Sequence, residues 1–396
     1  MSDRMTKRES GFSLVEMMIS LALGGVVLSA AVQMYTKGVG ATYLVQQRAE
    51  MQQDFRAASN MLTKDLSLAG GGLGNGAAIQ LPSGNTPQYG CDQSGTCYIN
   101  GAAGLYPITS GTPYLYGLIT GYNKGPTLNT TQGPTDVVTV VYTDSSFYLN
   151  CYIPKVTSKG VVTFSEPSGA TPWAGCLPNP VVAPQAVNDS AAGLTPGDLV
   201  MMSLNGTTVV VEVTGAVTTG TDGSGHTTYI VPFANSDPLK MNQTPAGGGL
   251  NTVPLNTTGA ASAAPCGATG PCRLMVITYY IDNTTTPPRL MRQISGHSPM
   301  PVVENVAYLK FSYDLFNDTT MTPAVNCYNP GVASDGCSGA STGLLPNQIT
   351  KINVLNMALD STTLGSQFGL GKGYQSIDLQ TSVSARNLTY SNNYPN

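Results

Sequence analysis

The chain has 396 residues, among them 45 glycines and 27 prolines, with only 10% charged residues and a formal charge of −4. At about 100 to 200 residues per domain, that length allows one large domain or two or three smaller ones. The low charge excludes a disordered polyelectrolyte, and 18 scattered Lys and Arg residues supply no basic stripe of the kind nucleic acid requires. What remains is a neutral, loop-rich exterior protein whose surface is Ser, Thr, Asn and Gly.

Residues 1–11 carry Arg4, Lys7 and Arg8 against Asp3 and Glu9, and they precede an apolar run from Phe12 to Tyr35 that is long enough to cross a membrane. Ten residues of this run are Leu, Ile, Val or Phe. At about −0.3 to −0.6 kcal/mol each they can carry one acid, whose cost at mid-membrane is about 2.5 to 3.5 kcal/mol. The acid is Glu16, and an ionisable group in such a segment is by default functional. Basic residues before the run and their near absence just after it predict an N-in orientation with the bulk of the chain outside. A secretory signal cut near Ser29-Ala30-Ala31 is the competing reading, but a Glu inside the apolar region and a helical pattern that continues past it argue against that. The first cysteine is Cys91, so there is no lipobox.

From Tyr35 to Ala69 there is no proline, and Leu44, Met51, Phe55, Ala58, Leu62, Leu66 and Ala69 recur at spacings of three, four or seven, which predicts an amphipathic helix continuous with the apolar run. Gly24-Gly25 is either a point of bending or a pair of small residues at a helix contact. The helix is expected to stop at the glycine-rich stretch Gly70 to Gly76. Beyond it, short β-type runs alternate with Gly, Pro, Asn and Ser: Asp136–Tyr142, Phe147–Ile153, Asp198–Leu204, Thr208–Val213, Thr228–Phe233, Leu274–Ile281, Leu290–Ile294, Ala307–Phe316, Ile349–Leu359 and Ser376–Ala385. Thr221 to Gly225 reads as a hairpin tip. Residues 235–272 and 317–348 read as long loops.

The segment GFSLVEMMISLAL, with Gly11 before Phe12 and Glu16 four residues further on, resembles the type IV prepilin (class III) signal. That resemblance implies cleavage by a prepilin peptidase between Gly11 and Phe12, N-methylation of Phe12, and pairing of Glu16 with the new ammonium of a neighbouring subunit. Further along, residues 46–72, 136–142, 197–203, 212–215, 278–282, 289–293, 301–318 and 382–387 are similar in order to the segments of PilW-type minor pilins. The loops at 75–133, 154–190, 235–272 and 317–348 are longer than a minimal head needs. The resemblance implies an α+β fold: leader 1–11, transmembrane and assembly helix 12–35, amphipathic continuation 36–69, and a β-rich antiparallel-sheet head 70–396 with long insertions. The implied function is non-enzymatic, in initiating pilus assembly at the fibre tip and hence in twitching motility and adhesion. The implied partners are other minor pilins, the major pilin, prepilin peptidase, the inner-membrane assembly machinery and a tip adhesin. A GspJ-like type II secretion pseudopilin and a pilus-borne adhesin or ligand-binding module are the alternatives.

The eight cysteines fall as local couples, and proximity pairs Cys91 with Cys97, Cys151 with Cys176, Cys266 with Cys272, and Cys327 with Cys337, one of 105 possible connectivities. No close Cys/His ligand pair exists, and His226 and His297 are the only histidines, so neither a metal nor a cofactor is expected. Gly339 to Gly343 matches a nucleophile-elbow pattern but lies in a polar loop with no histidine after it. Gly72 to Ala77 imitates a dinucleotide fingerprint, yet follows a helix instead of a strand. Asp222, Asp318 and Asp335 sit in turns without the run of oxygen ligands that Ca²⁺ needs, and are read as turn chemistry. Tyr114, Tyr116 and Tyr122 are read first as sheet packing, second as a recognition surface.

Overall fold

The computed structural model describes residues 11–74, 78–84, 86–109, 111–168, 184–204, 206–242, 249–259, 270–317, 321–330, 344–360, 376–385 and 387–388. It contains one long N-terminal apolar helix and many antiparallel strands in sheets, an α+β pilin-like architecture. The chain divides into two compact units. One comprises Met1–Gln53 with Ser361–Ser376, the other Asp54–Asp360 with Ile377–Asn396.

The first unit holds most of helix α1 (Leu14–Ser67). The helix runs through Gly24 and Gly25 without a break, and a Cβ added at either glycine would meet nothing within 4 Å. Its most apolar 18-residue window has a mean hydropathy of 2.0, and none of that window is buried. Hydroxyls in this stretch bond back to the helix's own carbonyls, Ser20 to Met17, Ser29 to Val26, Thr36 to Gln33 and Thr42 to Gly38, at 2.8 to 3.0 Å. A helix surrounded by hydrocarbon must satisfy its polar groups in this internal way.

The second unit is built on a seven-stranded antiparallel sheet of β1 (Leu118–Gly121), β2 (Val137–Thr143), β3 (Leu199–Leu204), β4 (Thr207–Glu212), β5 (Cys272–Asp282), β6 (Arg289–Ile294) and β7 (Met300–Glu304). Strand β5 organises it. One edge pairs with β2, while the other pairs first with β3 at Cys272–Leu274 and then with β6 at Ile277–Asp282. The hand-over from β3 to β6 is a close approach of two glycines: Gly296 N–H donates to Gly197 O at 2.9 Å, and a Cβ on Gly296 would stand 2.9 Å from Gly197 Cα.

Directly opposed residues share a face. Thr139, Thr278 and Gln293 therefore lie on one side, and Val138, Tyr279 and Arg292 on the other. The second side receives the C-terminal turns of α1, whose Phe55, Ala58, Leu62 and Leu66 are buried. These are the positions that the three-four-seven spacing picks out. The helix ends at Ser67, and the glycines that follow take left-handed backbone angles, Gly70 at φ +78 and Gly72 at φ +74. Gly70 N–H donates to Val141 O (2.8 Å) and Thr143 N–H to Gly71 O (2.8 Å), so the helix exit is stitched onto β2.

Val200, Met202 and Leu204 of β3 and Val209 and Val211 of β4 form a second core with Phe164, Tyr229 and Val231 of a smaller sheet and with Phe233 just past it. That sheet contains Ile153–Ser158, Val161–Ser165, Thr218–Thr221 and Thr227–Pro232. The expected hairpin tip joins its last two strands. Strands β8 (Val306–Asn317), β9 (Thr322–Cys327), β10 (Ile349–Asp360) and β11 (Ser376–Ser384) form a further four-stranded sheet in the order β9-β8-β10-β11.

Two expectations are corrected. The expected strand Phe147–Ile153 is instead a 3-10 turn at Leu149–Cys151 followed by a strand that starts at Ile153, because Leu149, Asn150 and Cys151 are buried in succession, which the alternation of a strand with one solvated face cannot arrange. The expected loop 317–348 contains β9, an edge strand paired with β8. Further short strands among the described residues were not foreseen, Ala78–Gln80 and Thr112–Tyr116 among them, the first paired with the second through Ile79 opposite Leu115.

Candidate assembly site

Gly11 and Phe12 lie just before α1, and Phe12 is 79% exposed. Ser13 starts the helix, its carbonyl accepting from Glu16 N–H (3.0 Å) and Met17 N–H (3.1 Å). Glu16 therefore stands in the first turn, where a carboxylate favours the helix dipole. It projects from an exposed apolar surface that includes Leu14, Val15, Met17, Met18, Ile19 and Leu21, and among the described residues no cation pairs with it. Any assembly that covered this surface would have to supply one, since a lone carboxylate in apolar surroundings is costly.

The other end of the helix carries residues that the sequence reading missed. Asp65 is buried on the same stripe as Leu62 and Leu66, 4% exposed. Its Oδ2 accepts from Tyr279 O–H at 2.7 Å and from Arg292 Nε–H at 2.8 Å, both on the sheet face beneath. Burial pushes the Tyr279 phenol well up, and the Asp65 charge and hydrogen bond push it further. Burial acts to lower Arg292, but the hydrogen bond and charge of Asp65 outweigh it and hold the guanidinium above its ordinary value. An acid three residues after Leu62 and next to Leu66 on an amphipathic stripe was the available signal.

Among the cysteines, Cys91 and Cys97 form a disulfide. Cys272 and Cys327 are also disulfide-bonded, and Cys151 is buried. Cys176, Cys266 and Cys337 lie outside the described residues, as do Asp318, Asp335 and the 339–343 pattern. The Asp222 carboxylate accepts from Ser224 N–H (2.8 Å) and His226 N–H (2.9 Å) and faces His226 Nδ1 at 3.2 Å, closing the hairpin tip. His297 Nε2 lies 2.9 Å from Asp198 Oδ1. Among the described residues no group of three or more His, Cys, Asp or Glu stands together as a metal site. Tyr116 packs inside the sheet, its ring 6.2 Å from Tyr114, while Tyr122 lies against Tyr328 at 5.6 Å and under Lys310 at 4.7 Å.

A lone apolar helix with a first-turn glutamate, joined to a β-rich head, fits a membrane-anchored pilin. Residues 6–32 match the family model for the prokaryotic N-terminal methylation motif, which supports a type IV pilin-like protein. The motif indicates a pilin or pseudopilin and implies interaction with other pilus components and with a prepilin peptidase. No curated protein and no solved structure matches the chain.

Proposed function

We propose that the chain is a non-enzymatic minor pilin of the PilW type that takes part in initiating a type IV pilus and stays at the fibre tip. Before assembly, residues 12–35 span the inner membrane with the N-terminus inside, 36–69 continue the helix, and 70–396 form the external head. Prepilin peptidase cuts after Gly11, Phe12 is methylated, and Glu16 pairs with the ammonium of a neighbouring pilin. The proposed cysteine couples beyond Cys91–Cys97 staple the head loops. The observation that carries this reading is the match at residues 6–32 on a helix whose N-terminal apolar stretch is exposed around a first-turn carboxylate that no cation among the described residues pairs.

N-terminal mass spectrometry of sheared pili tests it. The expected result is methylated Phe12, with Glu16→Val leaving the membrane pool intact while the chain disappears from the pili. An N-terminus at Ala30 or beyond, or normal incorporation of Glu16→Val, overturns it. Gene deletion separates this reading from a GspJ-like pseudopilin: loss of pili supports the former, loss of secreted enzymes the latter.

A further inference from the structure

The sheet face opposite α1 is covered by the segment Gln88–Tyr106, a strap that includes the Cys91–Cys97 loop. Its Tyr89 and Tyr106 are buried with ring centroids 5.2 Å apart, and Tyr89 reaches the side chain of Thr139 on β2. Inside the loop, Asp92 accepts from Ser94 N–H (2.9 Å) and Thr96 N–H (3.2 Å), which makes it a stiff unit. The strap is held along one side by a short loop, residues 237–242. Gln88 N–H donates to Leu239 O at 3.0 Å, and Gln88 Nε2 donates to Pro238 O at 2.8 Å.

Where strap and loop meet lies the end of β4, and Glu212 stands there, 0% exposed. Its Oε1 accepts from the strap's Gln93 Nε2. Its Oε2 accepts from Leu239 N–H at 3.0 Å, and its carboxyl is hydrogen-bonded to that of Asp237. Asp237 in turn accepts from Met241 N–H (2.5 Å) and Asn242 N–H (3.0 Å). Glu212 therefore holds a proton, because ionising it would bury a charge beside a second carboxyl. Gly296 backs the arrangement; a Cβ there would fall 2.8 Å from Glu212 Oε1 and 3.0 Å from Gln93 Nε2.

We propose that the strap Gln88–Tyr106 is a proton-latched cover, closed while Glu212 keeps its proton against Asp237 and Gln93 and released when Glu212 ionises. The titratable groups facing Glu212 are Asp237 from the 237–242 loop and Tyr106 from the strap, with the His297–Asp198 pair just beyond the Gly296–Gly197 contact. Burial, and then the Asp237 hydrogen bond and charge, push Glu212 up to about 9. A group that binds its proton more tightly in the closed form favours that form fully below its open-state pKa, and the preference is lost as pH rises through the closed-state value. The opening constant therefore rises by up to about tenfold per pH unit from the ordinary carboxylate range to about pH 9 and levels off above it.

The test is hydrogen exchange by mass spectrometry on the full chain in detergent, between about pH 6 and 8, corrected for the intrinsic base catalysis of exchange. Expected is a strap protection factor that falls by about a hundredfold across that range in wild type while peptides from β5 keep theirs. Glu212→Gln, which keeps the shape without the titration, should flatten the dependence, and Asp237→Asn, which removes the like charge but leaves the burial, should make it shallower by bringing its levelling-off to lower pH. Constant wild-type protection, an unchanged slope in whichever of the two variants folds, or strap and β5 opening together would overturn the proposal.

Discussion

Replacing Asp65 with alanine should be among the most destabilising single changes in the head. The carboxylate is buried, and one oxygen accepts both Tyr279 O–H (2.7 Å) and Arg292 Nε–H (2.8 Å). Removing it leaves a guanidinium whose side chain is only 15% exposed and a phenol in the interior, both without their acceptor. Losing one partner of such a pair costs about 3 to 5 kcal/mol. Asp65→Asn keeps an acceptor oxygen but no charge, and should cost about half as much, as neutral hydrogen bonds are weaker than charge-assisted ones. The double variant Asp65→Ala/Arg292→Met should be less damaging than the sum of its singles, because the stranded cation is gone. Equilibrium urea unfolding of the full chain in detergent, followed by far-ultraviolet circular dichroism, measures all three. A loss below about 1 kcal/mol for Asp65→Ala, or strict additivity in the double variant, would refute the idea that this pair holds the helix end to the sheet.

Two further outcomes follow from geometry. A methyl group on Gly117 would stand 2.5 Å from Gly70 Cα, 2.7 Å from Gly70 N and 2.5 Å from Leu388 Cδ2, and the backbone atoms cannot swing aside; Gly117→Ala should cost about 2 to 3 kcal/mol in urea unfolding. Gly111→Ala, at φ +80 with nothing within 4 Å, should show only the left-handed strain of roughly 1 to 2 kcal/mol. Burial acts to raise Asp144, but hydrogen bonds from Ser146 and Arg273 outweigh it and hold the carboxyl below its usual range. Its stabilisation is therefore present above about pH 4 and lost as pH falls through the depressed value. Asp144→Asn should be less stable than wild type at pH 7 and should show a shallower acid limb when urea midpoints are followed down to about pH 2.5.

The strap latch and the helix anchor lie on opposite faces of one sheet, and neither was visible in the chain alone. Glu212 ends a run of valines, Asp237 belongs to what reads as a loop, and Gln93 sits between two cysteines. They meet only because β5 shares one edge between β3 and β6, which brings the glycines Gly197 and Gly296 together and packs the strap over the join. Asp65 is a middle case. It falls between Leu62 and Leu66 of the helical stripe, yet the stripe alone did not single it out, and its partners Tyr279 and Arg292 are supplied by strands more than two hundred residues away.

The sequence by itself determined the features that depend on near neighbours. They include the apolar run and its methylation motif, the glutamate in the first turn, the stripe of Phe55, Ala58, Leu62 and Leu66, and the glycine stop after the helix. The Cys91–Cys97 loop and the hairpin at Asp222 belong with them. Each is set by neighbours along the chain, within one helix or one tight loop. Strand order and edge sharing, the 3-10 turn at Leu149–Cys151 and the two buried polar clusters were decided only by the tertiary structure. The reason is physical: a buried polar side chain is tolerated only where distant backbone and side-chain groups converge to satisfy it, and no local pattern encodes that convergence.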